Sequence, residues 1–327
     1  VTKSKKSAAS THWSADPRTA LRVGQGIDLS ALDRASTPGW QGDEDAAVAW
    51  TQQITPLLSE LQERLFAASR AGGSRRILLV VQGLDTAGKG GIARHVMGLV
   101  DPQGVRLTAF KAPTAEERAH DFLWRIRKAI PEAGMIGMWD RSHYEDLLVP
   151  LVSGDLDEQA MADRIAQIHE FERELIAQGT TIIKVALLIS HTEQGRRLLE
   201  RVDRPDKHWK YSPGDMDVRD QWEDYQAAYQ RVLEETSFPE APWHVIPADH
   251  KWYARLSVTC LLAQALADLD LSWPQARFDV EAERQRVRAS LEQGALADYD
   301  QARRAKQGKA TKRARAMEAA IEALPGR

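Results

Sequence analysis

The chain has 327 residues, 43% of them hydrophobic, enough for one large core with extensions attached. Its formal net charge of −3 predicts no general nucleic-acid binding, so any polyanion site must come from local clustering. The one cysteine, Cys260, lies in an apolar run, excludes a disulfide within the chain and fits a reducing cytoplasm.

Residues 1–42 are rich in Ser, Thr, Gly, Pro and Lys and predict a flexible arm that wraps the domain or stays disordered. Their basic start lacks the apolar segment of a signal peptide. Residues 43–70 predict a helix, with Ala47, Trp50, Ile54, Leu57, Leu58, Leu61 and Leu65 at helical spacing and Pro56 placed to kink or split it. Ala71-Gly72-Gly73 ends it. Residues 77–81 (ILLVV) are apolar on both faces, as a central parallel strand should be. They run into Gly83-x-x-x-x-Gly88-Lys89, the Walker A spacing, and then a helix over 92–100. In such a loop, backbone N–H groups surround a phosphate, the lysine adds a point charge, and the helix points its positive end at the anion. Gly90 stands where Ser or Thr would offer a hydroxyl to Mg²⁺, and a carboxylate, Asp85, lies inside the loop.

A second strand is predicted over 105–110, followed by a turn at Lys111-Ala112-Pro113. Thr114 and Glu117 form a capping box for a helix running to residue 130. Residues 135–139 read as the next strand, ending in Asp140-Arg141-Ser142-His143-Tyr144-Glu145-Asp146. A helix over 160–178, a buried strand over 181–189, two charged helices over 192–204 and 217–236, a strand over 243–246 and a helix over 251–269 complete the pattern. Such alternation predicts a parallel sheet with helices on both faces. Residues 273–327 form a charged, helix-forming extension. In it Arg303, Arg304, Lys306, Lys309, Lys312, Arg313 and Arg315 cluster without an acid. This run reads first as a solvated helix face, and second as a polyanion-attracting or oligomerisation arm. No apolar stretch nears the roughly 20 residues that span a bilayer, and the nine histidines form no HxxxH or HExxH pattern.

Three further stretches carry chemistry. Asp140 ends a strand 51 residues after Lys89, the place of a Walker B carboxylate. Beside a phosphate, Asp140 and Asp85 repel it unless a divalent cation lies between, and Mg²⁺ needs only one or two carboxylates besides phosphate oxygens and waters. Asp140 could also serve as a helix N-cap, and Asp85 could orient or deprotonate an attacking oxygen. Arg196, Arg197, Arg201, Arg204, Lys207 and Lys210 concentrate positive charge near Trp209 and Tyr211; Arg197, Arg201 and Arg204 share one helical face. Salt bridges to Glu193, Glu200 and Asp203 are the alternative use of these cations, more fitting for Arg196 than for Arg201, Lys207 or Lys210. Lys111 and Arg118, with Arg125 and Arg127 beyond, suit either an acceptor phosphate or an ordinary capped helix.

With these stretches placed, the chain resembles the polyphosphate kinase 2 family over roughly residues 45–270. The resemblance is carried by Gly83-Leu84-Asp85-Thr86-Ala87-Gly88-Lys89-Gly90-Gly91, Lys111-Ala112-Pro113-Thr114, Asp140 to Asp146, and the segment Arg201-Val202-Asp203-Arg204-Pro205-Asp206-Lys207-His208-Trp209-Lys210 through Asp215. It implies a thymidylate-kinase-like P-loop kinase fold of three layers, here residues 43–272, with a helical lid over about 192–236. It implies Mg²⁺-dependent (or Mn²⁺-dependent) phosphoryl transfer between inorganic polyphosphate and adenine, or also guanine, nucleotides. Asp85, Lys89, Asp140 and Arg141 would form the reaction centre, with Asp85 and Asp140 organising the metal. Gly83, Ala87, Gly88, Gly90, Lys111, Arg118, Arg201, Arg204, Lys207 and Lys210 would hold phosphate or polyphosphate. Glu145 and Asp146 would face the nucleotide, and Glu145 resembles the subgroup accepting both mono- and diphosphates. A cytoplasmic homo-oligomer, dimer or tetramer, is the expected state. The extension after residue 273 and the N-terminal arm have no counterpart in the resemblance. An ATP-dependent nucleoside or nucleotide kinase, and a non-catalytic polyanion-binding protein, are the alternative functions.

Overall fold

The computed structural model describes residues 12–327. In chain order these form α1 (Pro17–Ala20), α2 (Glu44–Arg70), β1 (Arg76–Gln82), α3 (Lys89–His95), β2 (Val105–Ala109), α4 (Ala115–Arg118), α5 (Trp124–Lys128), β3 (Ile136–Asp140), α6 (Glu145–Ser153) and α7 (Glu158–Ala177). They continue with β4 (Thr180–Leu188), α8 (His191–Asp203), α9 (Gly214–Asp220), α10 (Trp222–Glu235), β5 (Trp243–Pro247), α11 (Lys251–Asp268), α12 (Val280–Ala289) and α13 (Gln293–Glu322).

The five strands are all parallel, in the order β2-β3-β1-β4-β5. Alternation along β1 divides the core. Ile77, Leu79 and Val81 join the layer with α2, α3 and α11; Leu78 and Val80 join the layer with α6, α7 and α10. The fold is therefore the expected three-layer P-loop kinase arrangement. From β1 the chain goes to β2 and β3 on one side, then crosses to β4 and β5 on the other. That reversal opens a crevice beyond the carboxyl ends of the central strands, where ligands bind in such sheets.

Local differences from the sequence reading have local causes. Helix α2 continues through Pro56. Proline in a helix interior costs about 3 kcal/mol, less than the burial of Trp50, Ile54, Leu57 and Leu58 around it at roughly 1.5–3 kcal/mol each. The helix expected to run from Thr114 to residue 130 is broken. Its capping box is present, but the Asp121 carboxylate accepts from the Leu123 amide at 3.0 Å and turns the chain between α4 and α5. Residues 205–216, between the two predicted charged helices, hold a 3₁₀ turn, Pro205–Lys210, and the start of α9.

Of the arm expected over residues 1–42, residues 1–11 lie outside the described residues, and the rest packs on the domain. Trp13 and Trp40 are buried edge-to-face at 5.1 Å, and Val23 and Leu29 enter the opposite layer. The Gln230 carboxamide oxygen on α10 accepts from the Leu29 amide at 2.9 Å. At the other terminus, α13 packs on α2, with Met317 of the helix and Leu324 just after it buried in the core. The side chain of Lys309 lies outside the described residues. Among the described residues no helix is long and apolar enough to cross a membrane.

Candidate active site

The loop from Gly83 to Gly88 leaves β1 at the sheet centre. Gly83 has φ 153°, and a Cβ there would lie 2.7 Å from the Leu187 carbonyl oxygen, so only glycine lets the loop pass this close to β4. Thr86 and Gly88 have φ 69° and 120°, which fold the turn so that α3 begins at Lys89. The Lys89 ammonium is buried and donates to the carbonyls of Gly83 at 2.6 Å and Leu84 at 3.3 Å. Burial pulls its pKa down, opposed by the charges of Asp140 and Asp85. An ammonium has three donors, so one N–H remains for a ligand. A Cβ at Gly90 meets no atom within 4 Å. The missing hydroxyl is therefore not excluded by space.

Pairing of β1 with β3 sets Val81 opposite Asp140. Arg141 follows with φ 64°, a left-handed conformation that costs a non-glycine residue of order 1 kcal/mol. It turns the guanidinium onto Asp85, Nη2 to Oδ1 at 2.8 Å. The neighbouring carboxylates Glu145, Asp85 and Asp140 raise the Arg141 pKa against the effect of burial. Asp140 makes no side-chain hydrogen bond or ion pair among the described residues. Burial raises the Glu145 carboxyl, opposed by Arg141 and Lys89. Asp215, at the start of α9, also comes close: burial, then the charge of Asp85, raise its pKa, and Arg201 pairs with it at 3.2 Å. Two cations, Lys89 and Arg141, thus stand among the carboxylates of Asp85, Asp140 and Glu145.

Helix α8 distributes its cations differently from the single free face that their spacing predicts. Arg197 is buried and turns inward. Its guanidinium donates to the carbonyls of Thr86 at 2.9 Å, Ala87 at 3.3 Å, Ala248 at 2.7 Å and Asp249 at 2.8 Å, and Nε binds Glu193 at 2.7 Å. It ties the phosphate loop to the turn after β5. Gln194, fully buried, reaches the Asp85 carbonyl at 3.4 Å. Arg204 pairs with Glu200 and Asp206, and Lys207 pairs with Glu200. Ion pairing thus reaches both Arg201 and Lys207, for which the sequence argued less than for Arg196. Lys210 is exposed with its ammonium 4.9 Å from the Trp209 ring centroid.

Beyond β2 lies a cleft of about 410 Å³, lined by Arg118, His120, Phe122, Arg125, Asp146 and Arg164 among others. The buried Arg125 holds its shape, donating to the Lys111 carbonyl at 2.8 Å and to Asp146 at 3.3 Å. Arg118 and Asp146 therefore share one cleft, while the Lys111 side chain is exposed and not among the residues lining it.

Beneath the Arg141 loop is a polar network that sequence reasoning missed. Lys184, fully buried in β4, donates to Glu172 at 2.8 Å, the Tyr144 hydroxyl at 3.0 Å and the Thr236 carbonyl at 2.9 Å. Tyr144 donates to Glu172 at 2.7 Å, and His143 Nε2 lies 3.4 Å from the same carboxylate. The carboxyl of Glu172 falls to about 2: burial would raise it, but Lys184 and His143 outweigh burial. A lysine inside the apolar run TTIIKVALL was the available signal. A charge buried on both sheet faces needs a partner on a neighbouring helix.

The family model of polyphosphate kinase 2 matches residues 42–272. The chain belongs to the polyphosphate kinase 2 family. An AMP/ADP-polyphosphate phosphotransferase of Meiothermus ruber is 40% identical over 249 residues, 76% of this chain and 92% of that one. An ADP-polyphosphate phosphotransferase of Rhodopseudomonas palustris is 38% identical over 269 residues, 78% and 91% of the two chains. The crystal structure of polyphosphate kinase 2 from Arthrobacter aurescens superposes with a TM-score of 0.83 at 52% identity, covering 85% of this chain and 98% of that one. This chain continues beyond the family match into α12 and α13.

Proposed function

We propose that this protein transfers phosphoryl groups from inorganic polyphosphate to AMP and ADP. The observation that carries the reading is Asp85 of the phosphate loop paired with Arg141 from the end of β3, beside the buried Lys89. The names of the Meiothermus ruber and Rhodopseudomonas palustris relatives support the same substrates.

In the reaction, an oxygen of the acceptor's terminal phosphate attacks a phosphorus of polyphosphate. A new P–O–P bond forms, the old anhydride bond breaks, and polyphosphate leaves one unit shorter. Little covalent work falls to the protein, so alignment and charge stabilisation dominate. The loop amides from Gly83 to Gly90 and the free N–H of Lys89 hold the phosphate to be transferred. Arg141 spends part of its five-donor fork on Asp85 and presents the rest to the equatorial oxygens. The 410 Å³ cleft takes the acceptor, with Phe122 and His120 as ring surfaces, Arg118 as a phosphate partner and Asp146 on its wall; Glu145 stands nearer Arg141 and Lys89.

The donor set fits Mg²⁺. Among the described residues no cluster of three or more His, Cys, Asp or Glu is built to hold a metal. Mg²⁺ shared with phosphates needs only hard oxygens from one or two carboxylates, and Asp140 and the second oxygen of Asp85 supply them. When bound, the ion neutralises charge on the phosphates. Lys207 and Lys210 extend the polyphosphate path along the segment read as a lid.

Incubation of purified protein with polyphosphate, Mg²⁺ and AMP or ADP should yield ADP and ATP. Failure to make either, together with phosphorylation of a nucleoside or nucleotide by ATP alone, would replace this reading with an ATP-dependent kinase.

A further inference from the structure

The extension lies beyond the family match, which ends at residue 272. Its two helices differ sharply in charge chemistry. On α12 each cation has an acid: Arg284 with Glu281, Arg286 with Glu283 at 3.1 Å, and Arg288 with Asp300 of α13 at 2.8 Å through both oxygens. On α13, seven Lys or Arg and no acid lie between Asp300 and Glu318. Of the six whose side chains are described, Arg313 pairs with Glu60 at 3.3 Å. Arg303, Arg304, Lys306, Lys312 and Arg315 are exposed and make no ion pair among the described residues. Like charges three and four apart each cost a helix about 0.2–0.5 kcal/mol, so a merely solvated helix gains nothing from this arrangement.

Orientation adds to the case. At 100° per residue, Arg304, Lys312 and Arg315 fall within about 80° of one another, roughly opposite the core-facing Met317. They form one outward stripe about 16 Å long. Seven cations here also leave the rest of the chain more acidic than the whole-chain −3, so a polyanion finds its attraction concentrated on this helix.

We infer that α13 is a second docking site for long-chain polyphosphate, separate from the catalytic crevice. This rests on the proposed function, which supplies the polyanion. The helix is anchored where Gln264 of α11 donates to the Pro325 carbonyl at 2.6 Å and Arg327 pairs with Asp268. The first turn of α11 adjoins Asp249, which Arg197 joins to the phosphate loop. Asp249 and the anchored end of α13 are roughly 20–25 Å apart along α11, and the nearest cation of the stripe, Arg315, lies about 15 Å along α13 from that anchor. A short oligophosphate in the crevice does not reach α13, whereas a long polymer occupies both. Bivalent holding then lowers the KM for long chains alone.

The test is steady-state kinetics of the full chain and a variant with Arg303, Arg304, Lys306, Lys312 and Arg315 changed to Gln. Substrates are long polyphosphate and a short oligophosphate. The expected result is a KM for long chains raised about tenfold and a shallower salt dependence of that KM. The kcat and the short-chain KM stay unchanged. An unchanged long-chain KM overturns the inference, as does an equal rise for both lengths. Displacement of labelled polyphosphate by RNA at lower concentration than by polyphosphate reassigns the helix to nucleic acid. A change of mass in solution without a kinetic change reassigns it to self-association. Should the Gln variant unfold, Arg303, Arg304 and Arg315 changed to Lys must retain the long-chain KM, and its loss counts against the inference. Turnover of short chains reads the proposed function independently: if it is absent, that reading fails rather than this one.

Discussion

Arg197→Met separates a residue that builds the site from one that decorates a helix. Methionine keeps much of the stem and removes the fork. Lost with it are bonds to four backbone carbonyls, two on the phosphate loop and two after β5, at 2.7–3.3 Å. Hydrogen bonds to a charged group contribute about 1.5–3 kcal/mol each, but four on one guanidinium are not additive, and Glu193 can turn to water. A loss of about 3–5 kcal/mol follows, as for other broken buried charge contacts. At about 2–4 °C per kcal/mol for a large domain, the melting temperature should drop by roughly 10 °C. The carbonyls of Thr86 and Ala87 also lose their tether, and a displacement of about 1 Å in a catalytic loop costs on the order of 100-fold in rate. Thermal unfolding and steady-state kinetics of the same preparation check both. Arg197→Lys should fall between, since one ammonium cannot reproduce the fork. A melting temperature within 2 °C of wild type and a kcat within about twofold would refute the assignment.

Gly83→Ala should destabilise by at least about 1–3 kcal/mol, because its Cβ would meet the Leu187 carbonyl oxygen at 2.7 Å. Gly90→Ser, which meets nothing within 4 Å, should leave the melting temperature unchanged or slightly raised. Lys184→Met should cost about 3–5 kcal/mol in chemical denaturation by stranding Glu172, and adding Glu172→Gln should restore about half. The pH dependence has a definite sign. The folded Glu172 pKa, about 2, lies below its ordinary 4.5, so its contribution is full above pH 4.5 and is lost as pH falls towards 2. That is about 3 kcal/mol of acid-dependent stability, and Glu172→Gln should flatten the stability curve over that window.

Much of the fold was legible because its signals are local. Unbroken apolar runs mark strands buried on both faces, and all five expected strands occur within about two residues of their expected ends. The loop was legible for the same reason: glycine spacing, lysine and helix are adjacent in sequence. Other features depend on what folds nearby. Spacing placed Arg197, Arg201 and Arg204 on one face, but whether a face meets solvent or the turn after β5 is decided by packing. Lys184 and Glu172 are 12 residues apart on different elements, and nothing in either segment names its partner. Residues 12–42 lack helical or strand periodicity beyond the one-turn α1, yet Trp13 and Trp40 anchor them, since isolated aromatics can bind a strap with little regular structure.

The charge order around the loop explains how an aspartate can lie inside a phosphate-binding turn. At an effective dielectric near 20, a carboxylate about 4 Å from a phosphate charge is repelled by about 4 kcal/mol. Left alone, Asp85 would defeat the loop that contains it. Arg141 sits 2.8 Å away and supplies an attraction of the same order. It reaches that position only by adopting a left-handed backbone at the end of β3. The strain at Arg141 and the carboxylate at Asp85 therefore belong together. Because the guanidinium retains unused donors, the pair is neutral to its surroundings yet still presents N–H groups to an anion. Lys89 completes the set from below, with two donors fixed on the loop's own carbonyls and one free. Removing Arg141 should thus harm phosphate binding more than the loss of one positive charge would suggest, because it also releases the repulsion of Asp85.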